Sequence, residues 1–466
     1  MVFPWLSRLL VPALAATSLV SATATLPYAE PRSPNSTGKT CVVEPSPKRC
    51  RRDDVPRILE AFRECNHGGT VVFPEGKEYY IAQRLNPTLY DVTIEWRGTW
   101  LFSDDLDYWR NNSYPIAFQN HAAGFVITGD RIHIDGHGTG GINGSGNTWY
   151  TAEAGATQPG RPMPMVLWNV SDVKIEHCKP LPSGTVRLHV TYLLNRGDHL
   201  QVSIVQPPLW SLNIMNGTDI WVDDLYVNAT ALDAPYGKNW VQNTDGFDTM
   251  DARNVMLTNF VYQVATMPSL SSLGPTTSIA RMQITVHGGN GIAIGSLGQY
   301  KEDSSVANVV VKDVQILTNN KDMHNMAYIK TWTGEEVMQK GYESGSQPRG
   351  GGWGEVKNIL FENFYVDGSA SGPSINQDSG ANSTTKGTSN MLISNVAWVN
   401  ITGEIIAKTA NRTAAVSCSQ RRPCYDIEMR EISLKPSADA PAMGANGECF
   451  YVAPGGIHGM TGEGCE

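Results

Sequence analysis

The stretch Asp172-Val173-Lys174-Ile175 is a short β-rich run that opens with an aspartate, and runs of the same form recur along the chain. The others are Asp219-Ile220-Trp221-Val222, Asn254-Val255-Met256-Leu257, Asn308-Val309-Val310-Val311, Asn358-Ile359-Leu360-Phe361, Asn390-Met391-Leu392-Ile393 and Asp426-Ile427-Glu428-Met429. Short strands that recur with one entry residue are typical of a solenoid, whose coils stack on their neighbours. A sandwich would also supply many strands, but it would not explain the repeated Asp or Asn. The sequence therefore predicts an all-β fold, a parallel β-helix.

The rest of the chain agrees with that architecture. From about Val71 onward, β-rich runs alternate with Gly, Asn, Asp and Ser, and few segments have helical periodicity. The exception is residues 54–65, where a helical stripe follows Asp54 and Pro56; its apolar residues are Val55, Ile58, Leu59 and Phe62. We expect this segment to form a short N-terminal helix that caps a right-handed β-helix, because parallel β connections are almost always right-handed. No linker divides residues 25–466, which we read as a single domain.

The N-terminus predicts secretion. Arg8 precedes an apolar run from Leu9 to Val20, and small residues follow at Ala22 and Ala24, so residues 1–24 read as a signal peptide. The apolar run is too short to span a bilayer. Nine Asn-x-Ser/Thr acceptors fit this route: Asn35, Asn111, Asn143, Asn169, Asn216, Asn228, Asn382, Asn400 and Asn411. We expect a secreted, extracellular glycoprotein.

Charge and composition limit the partners. The net charge of −9 provides no basic surface for nucleic acid and no polybasic patch for a membrane. We expect a monomer that acts on a polysaccharide, and an acidic polymer would need a local cation, for which Lys330 is a candidate. No set of His, Cys and carboxylate residues has the spacing of metal ligands, so no metal and no cofactor is implied.

The eight cysteines suggest disulfides in a secreted chain. Cys418 with Cys424 and Cys449 with Cys465 would close short loops, and Cys41 with Cys65 would fasten the N-terminus. Cys50 and Cys178 are left over.

The candidate active site begins at Gln242-Asn243-Thr244-Asp245-Gly246-Phe247-Asp248, which places two carboxylates and an amide close together in an apolar region. In a strand, Asn243 and Asp245 would project from one face while Thr244 points the other way. The alternative is an Asx-rich turn with Gly246 at its corner.

Two further stretches place polar side chains within strand-like or glycine-rich sequence. They are Val286-His287-Gly288-Gly289-Asn290-Gly291-Ile292-Ala293-Ile294-Gly295-Ser296 and Tyr328-Ile329-Lys330-Thr331-Trp332. The order of acid, imidazole and amine resembles the polygalacturonase-type glycoside hydrolases of family 28, whose motifs read Asn-Thr-Asp, Gly-Asp-Asp, Gly-His-Gly and Arg-Ile-Lys. The runs Gln206-Pro207-Pro208-Leu209-Trp210-Ser211-Leu212-Asn213 and Asp135-Gly136-His137-Gly138-Thr139-Gly140-Gly141 resemble its fungal exo-acting branch, the exo-polygalacturonases. The resemblance extends from about Cys41 to the C-terminus.

The resemblance implies a pectin-lyase-like β-helix and a role for each matching residue. Asp245 matches the family aspartate that shares in activating water in an inverting reaction. His287 matches the histidine that sustains protonation of the acid, and Lys330 matches the lysine that holds a substrate carboxylate. Asn243, Asp248 and Tyr328 are the further candidate substrate-binding residues. Tyr328 stands where the family commonly has arginine, and a tyrosine cannot form the bidentate fork that suits a carboxylate.

The family's Gly-Asp-Asp acid motif is missing from the chain as written. Between Val264 and Pro275 there is no carboxylate. Read two nucleotides out of phase, the codons of this stretch permit Gly-Asp-Asp-Ala-Ile-Ala-Ile-Lys-Pro-Arg, in which only the alanine is forced. We interpret residues 264–285 as an out-of-frame segment; the alternative is a protein that has lost its acid.

Residues 178–201 also break the repeat. Without them, Asp172 and Asp219 would be 23 residues apart instead of 47. The codons of Cys178-Lys179, Leu194-Asn195 and Gln201-Val202 allow donor, branch and acceptor splice sequences that keep the frame. We interpret this segment as a translated intron, and a genuine surface loop is the alternative.

The sequence thus predicts a secreted hydrolase that releases galacturonic acid from the non-reducing end of galacturonan (a galacturan 1,4-alpha-galacturonidase), with the exo action resting on the resemblance alone. Tyr328 favours a second possibility, an exo-rhamnogalacturonan hydrolase or alpha-L-rhamnosidase. A third is a catalytically dead pectin-binding β-helix, which Lys330 and aromatic side chains could still equip to hold an acidic chain.

Overall fold

A right-handed parallel β-helix forms the body of the protein, as the recurring Asp and Asn runs predict. The computed structural model describes residues 28–47, 53–116, 118–156, 160–176, 202–235, 238–263, 276–302, 304–317, 324–338, 348–406 and 412–465. Successive coils pair in parallel register from Thr40 to Thr461. The signal peptide predicted at residues 1–24 lies outside the described residues.

The strands fall into one long ladder, a front sheet and two small sheets. The ladder contains β1 (Thr40–Val42), β2 (Thr70–Phe73), β3 (Glu78–Ile81), β4 (Thr88–Trp96), β5 (Thr99–Phe102), β8 (Val126–Asp135), β9 (Gly141–Asn143), β11 (Met165–Glu176), β12 (Val202–Val205), β13 (Leu212–Asp223), β14 (Leu225–Asn228), β15 (Phe247–Met250), β16 (Arg253–Gln263), β17 (Thr276–His287), β19 (Val306–Leu317), β23 (Trp353–Ser369), β25 (Asn390–Ile405), β27 (Tyr425–Lys435) and β29 (Ile457–His458). The front sheet contains β18 (Ile292–Leu297), β20 (Ala327–Trp332), β24 (Ser374–Ser379), β26 (Ala414–Ser417), β28 (Ala445–Phe450) and β30 (Met460–Thr461). The small sheets are β6 (Tyr114–Ile116), β7 (His121–Ala123) and β10 (Pro162–Met163), and β21 (Val337–Met338) with β22 (Pro348–Arg349).

The recurring Asp and Asn residues mark a bend in each coil. Six of the seven predicted entry residues, all except Asn390, have φ between 50° and 59°, the left-handed region that Asn and Asp tolerate better than most residues. Their side chains also form a ladder between coils. Asn358 donates to the side-chain oxygen of Asn308 at 2.8 Å, and Asn395 donates to that of Asn358 at 2.8 Å. The recurring Asp and Asn residues of the sequence therefore indicate where each coil bends.

Two details of the predicted repeat are wrong. Asn390 pairs with Trp353, and Asn395 occupies the bend of its coil with φ 51°. In addition, the Asp and Asn residues do not open the strands: Asp219, for example, lies inside β13. The reason is that the left-handed residue turns a long strand from one face of the coil to the next without ending its pairing.

The predicted N-terminal helix is confirmed as α1 (Val55–Glu64), although its capping differs from the prediction. Asp54 stands at the N-cap without capping the helix, because its carboxylate accepts from the backbone N–H groups of Ser46 at 2.7 Å and Tyr80 at 2.8 Å. Its side chain thus connects the start of α1 to the segment at Ser46 and to β3. Two helices were not predicted, α2 (Leu106–Asn112) and α3 (Gly146–Glu153), since neither has a clear apolar stripe.

Three disulfides confirm the expected pairing of six cysteines. Cys41 bonds to Cys65, Cys418 to Cys424 and Cys449 to Cys465. Cys50 and Cys178 lie outside the described residues. None of the described helices is long and apolar enough to cross a membrane.

Coil length varies widely along the stack. The register advances by 24 residues from Arg253 to Thr277 (277 − 253) and by 50 residues from Val306 to Val356 (356 − 306). The advance of 47 residues from Ser171 to Thr218 (218 − 171) falls inside that range. Length alone therefore does not support an intron at residues 178–201, which lie outside the described residues, and the intron stays a prediction.

We predict that Asp54→Ala destabilises the protein by roughly 2–3 kcal/mol, because it leaves two backbone donors beside a buried site without their acceptor. The urea midpoint measures this loss. Asp105→Ala is the matched control: Asp105 caps the exposed start of α2 through Tyr108 N–H at 2.9 Å, so its loss should cost about 1 kcal/mol. Equal midpoints for the two variants would contradict the assigned role of Asp54.

Candidate active site

The segment that carries Asp245 is a turn that leads into β15, so the prediction that Asn243 and Asp245 share a strand face is wrong. Asn243 has φ 57°, which breaks strand geometry. The turn is fastened on both sides: Ser211 N–H donates to the carbonyl of Asp245 at 2.7 Å, and the Tyr262 hydroxyl donates to the carbonyl of Thr244 at 2.7 Å. The alternative of an Asx-rich turn describes this segment correctly.

Gly246 is required at this corner by close packing. A Cβ atom there would lie 2.7 Å from the Tyr262 ring and 2.8 Å from the Phe260 ring, closer than side chains tolerate. Burial raises the pKa of Tyr262 well above its usual value, and the negative charge of Asp245 raises it further. Tyr262 is therefore a neutral hydrogen-bond donor that supports the turn and does not act as an acid.

Asp248 lies in β15 and is completely buried. Its neighbour in the ladder is Asn213 of β13, which is also buried and whose amide lies 3.4 Å from the sulfur of Met163. A side chain without solvent exposure can contact a substrate only if its cover moves. Its assignment to substrate binding stays a prediction, as does that of Asn243.

The front sheet presents Tyr328 and Lys330. Both are half-buried and point outward from β20, together with Trp332, because alternate residues of a strand share a face. Burial lowers the pKa of Lys330, the positive charge of Arg349 lowers it further, and the negative charge of Asp245 opposes both effects. Asp245 and Lys330, far apart in sequence, thus lie within electrostatic reach of each other.

Arg349 is a site residue that the sequence did not reveal. It is 1% exposed, and its guanidinium lies 5.6 Å from the ring centroid of Trp332, next to Lys330 on the outer face of β20. The backbone that follows it is tied to the front sheet through Gly350 N–H, which donates to the carbonyl of Gln299 at 2.7 Å. The only sequence signal nearby is the glycine run that follows this arginine. Two cations therefore accompany Asp245.

His287 ends β17 and is buried, with 3% of its surface exposed. Its ladder neighbours are Gln263 on one side and Leu317 on the other. Gly288 and Gly289 follow with φ 87° and 93°, which turns the chain from the ladder toward the front sheet. Residues 264–275, where the family resemblance places the acid pair, lie outside the described residues.

A cleft of about 710 Å³ extends from Lys330 across the front sheet. Its lining is mostly polar: besides Tyr328 and Lys330 it includes Asn290, Asn325, Ser371, Ser374, Asn376, Arg412, Thr413 and Ser417. Amide and hydroxyl groups with a few cations suit a hydroxylated, acidic ligand such as a uronate sugar. Within the described parts of the chain, no group of three His, Cys, Asp or Glu side chains could hold a metal ion.

A segment from the early coils covers the Asp245 side of this region. Phe118 packs on Trp210 and on Tyr300, with ring centroids 6.1 Å and 5.5 Å apart. The buried Gln119 donates to the side chain of Gln299, just after β18, at 3.2 Å. Trp210 directly precedes Ser211, whose N–H contacts Asp245. The segment therefore closes the front sheet on this side.

His121, in the same segment, is a second residue that the sequence did not indicate. Its buried ring stands edge-on to Trp210, with centroids 4.5 Å apart. Burial lowers the pKa of His121 to about 3, together with the positive charges of Arg161 and Arg349. His121 is therefore neutral in the folded protein over most of the pH range.

Comparison with known proteins decides the family. The sequence pattern of the glycosyl hydrolases family 28 matches residues 185–450. The chain belongs to glycosyl hydrolases family 28. This membership confirms the resemblance drawn from the motifs and makes the protein a pectin-degrading glycoside hydrolase of the polygalacturonase type.

The chain is also similar in sequence to fungal members of this family. It is 55% identical over 412 residues to galacturan 1,4-alpha-galacturonidase C of Aspergillus niger, covering 88% of this chain and 91% of that protein. It is also 31% identical over 389 residues to an alpha-L-rhamnosidase of Aspergillus niger, covering 82% and 81%.

The fold has a solved counterpart in the endo-xylogalacturonan hydrolase from Aspergillus tubingensis. The TM-score is 0.66 at 19% identity, and the match covers 91% of this chain and 98% of that one. At this identity the likeness supports the fold of the family 28 chain and no more.

We predict that the free energy of unfolding of this protein falls in acid because of His121. Its folded pKa of about 3 lies below the usual value near 6.5, so the unfolded chain binds a proton that the folded chain does not between these values. The free energy of unfolding should fall as pH falls below about 6.5, with a contribution of roughly 2–3 kcal/mol by pH 4.5. Urea midpoints at pH 7 and pH 4.5 measure the change.

The matched pair for this test is His121→Asn and His458→Asn. The asparagine at position 121 should reduce the difference between the two pH values, while the exposed His458 of β29 should not affect it. An unchanged difference in His121→Asn would show that other groups control the acid response.

Proposed function

We propose that this family 28 protein is a secreted, monomeric, inverting hydrolase that releases galacturonic acid from the non-reducing end of galacturonan, and that its acid motif is missing from the chain as written. The observation that carries the proposal is the grouping of Asp245 with Lys330 and Arg349 beside a polar cleft. A uronate carboxylate entering that cleft meets the ammonium of Lys330. The buried guanidinium of Arg349 beside it adds positive charge that attracts the carboxylate. The identity to a named galacturonidase supports the same substrate.

The chemistry requires two carboxyl groups with different protonation. One, as an acid, protonates the leaving glycosidic oxygen, and the other, as a base, activates water on the opposite face of the sugar. In our assignment Asp245 is the base, and the acid belongs to the Gly-Asp-Asp motif that residues 264–285 lack as written. His287, at the end of the following strand, sustains the proton on that acid.

Two observations support action on chain ends. The segment with Phe118 and Gln119 covers the Asp245 side, where a longer chain would have to continue. On the other side the cleft reaches Arg412, whose side chain is 38% exposed. A site closed on one side and open on the other accepts one end of a polymer. Secretion is supported by the leader-like residues 1–24 and by three disulfides.

A second candidate is an exo-rhamnogalacturonan hydrolase or alpha-L-rhamnosidase, and the observation that favours it is Tyr328. A tyrosine in place of the family arginine removes one guanidinium from the sugar-binding face of β20. Arg349, beside Lys330, restores a positive charge from another element, although its guanidinium is buried, and for this reason we place galacturonan first. Rhamnose as the sole product from rhamnogalacturonan fragments would reverse that order.

A third candidate is a pectin-binding protein without catalysis, which is what the literal sequence implies if residues 264–285 are correct. The transcript across Gln263 to His287 distinguishes the cases. A cDNA that restores two aspartates favours the enzyme, and one that encodes the sequence as written favours the binding protein.

We predict that the literal chain does not hydrolyse galacturonan, whereas a variant with Gly-Asp-Asp restored in the alternate frame does. Loss of one positioned proton donor costs about 10²–10⁴-fold in rate, and the literal chain loses both candidate acids. The prolines at 268 and 275 cannot donate to a sheet ladder, so poor secretion of the literal chain should accompany the loss. Galacturonic acid released from oligogalacturonides is the measured quantity.

Asp245→Asn in the restored variant should again abolish hydrolysis. Asp313→Asn is the matched control, because Asp313 accepts a ladder hydrogen bond from Asn363, at 3.0 Å, and the following positions of that ladder are asparagines. If the literal chain is well secreted and hydrolyses galacturonan near the restored rate, the acid lies elsewhere and the site assignment fails.

A further inference from the structure

The cleft continues beyond Lys330 over a floor of small side chains. The front-sheet register aligns Tyr328 of β20 with Ser374 of β24 and Ala415 of β26. In the next row, Lys330 aligns with Asn376, and Asn376 with Ser417. These residues share the outer face, and the small ones at positions 374, 415 and 417 leave a groove across two coils.

Arg412 stands at the far end of that groove. It lines the cleft two residues before β26, and its guanidinium lies 3.3 Å from the carboxylate of Glu448. Their side chains are 38% and 46% exposed, so this ion pair is solvated and contributes little stability. A guanidinium held in this way is oriented by Glu448, and its remaining N–H groups can donate to a ligand carboxylate.

The spacing between the two cations matches a polymer. Strands β20 and β26 are two ladder steps apart, on the order of 10 Å at about 4.8 Å per step. A carboxylate bound at Lys330 and another bound at Arg412 would therefore belong to different sugar units of one chain. Asn376, between the two positions on the floor, offers an amide to the hydroxyl groups of the intervening sugar.

We propose that Arg412 is a specificity-determining residue that binds the carboxylate of a second uronate unit, away from the catalytic centre. The inference rests on the proposed function, since it extends the same cleft. Glu448 has two effects in this arrangement: it orients the guanidinium, and its negative charge opposes a further acidic unit beyond Arg412. The groove therefore selects chains with free carboxylates and limits the number of units bound.

The test is titration calorimetry of the purified chain with digalacturonate, tetragalacturonate and the methyl ester of tetragalacturonate. Because poor secretion is predicted for the chain as written, the same titrations are also made on the frame-restored enzyme with Asp245→Asn, which should bind the ligands without hydrolysing them. Arg412→Ala should raise the Kd for tetragalacturonate about tenfold, the factor expected for a charge-assisted hydrogen bond of about 1.4 kcal/mol at a partly exposed site. The Kd for digalacturonate should change less than about twofold, and the ester should bind both proteins equally.

Two further variants complete the design. Arg430→Ala removes an arginine that is paired with Glu428 on β27, outside the cleft lining, and should leave every Kd unchanged. Glu448→Gln should tighten tetragalacturonate binding, because it removes the competing carboxylate but keeps the shape. In the frame-restored enzyme the same variants should change KM in parallel.

The possible failures are distinguishable. If neither the literal chain nor the frame-restored enzyme binds any oligogalacturonate, the proposed function fails. If both ligands bind but Arg412→Ala weakens them equally, or weakens neither, the proposed function stands and the second uronate position is wrong. A tenfold loss that persists with the methyl ester would also overturn the inference, because it would not depend on the carboxylate.

Discussion

The left-handed residue at each bend is the constraint on which the structure depends. It allows a long strand to change direction without losing its partners, so each coil stays in register with the next. Asparagine and aspartate are suited to this position because their short side chains tolerate positive φ and bond to the same residue in the neighbouring coil. Because the register is kept, residues far apart in sequence reach one face, as Asp245 and Lys330 do.

The same dependence predicts that a change within one coil also affects the coils beside it. Each coil is supported by the two coils beside it. Residues 264–275 lie in sequence between β16 and β17, which pair with each other, and β17 ends at His287. We therefore expect the replacement of the acid motif that we propose for residues 264–285 to be both a chemical and a structural change. In a globular core of mixed contacts the damage would stay more local.

Much of the fold could be predicted from the sequence because its signals are local and repeated. The recurring Asp and Asn runs indicated the solenoid, and close spacing indicated the disulfide of Cys418 with Cys424. The misses have physical reasons. Asn243 lies in a turn that is held by tertiary hydrogen bonds from Ser211 and Tyr262, which sequence spacing does not reveal. The sequence points to Asn390 as a bend residue, but in that coil the bend lies five residues later, at Asn395.

The candidate site was harder to predict from the sequence than the fold, because part of it comes from segments that carry no recognisable motif. Arg349 is brought to the site by strand β22 of the β21–β22 hairpin, and His121 is brought there by β7. Sequence spacing connects neither residue to Lys330. Only the folded chain shows that the cations at positions 330 and 349 share one face of β20. The positive charge of the site was therefore underestimated from the sequence, which indicated Lys330 alone, whereas the structure adds Arg349 beside it and Arg412 at the far end of the cleft.

A cleft closed beside Asp245 and open toward Arg412 should accept a polymer by one end, and the fate of an end label tests this most directly. The frame-restored enzyme is incubated with pentagalacturonate labelled at its reducing end, and the first products are separated. Closure on the Asp245 side predicts that a single terminal unit is released first. The proposed action at the non-reducing end predicts that this galacturonic acid is unlabelled and that tetragalacturonate keeps the label. Labelled monomer, or labelled dimer and trimer among the first products, would contradict it, because the chain would then enter in the opposite direction or pass through the site.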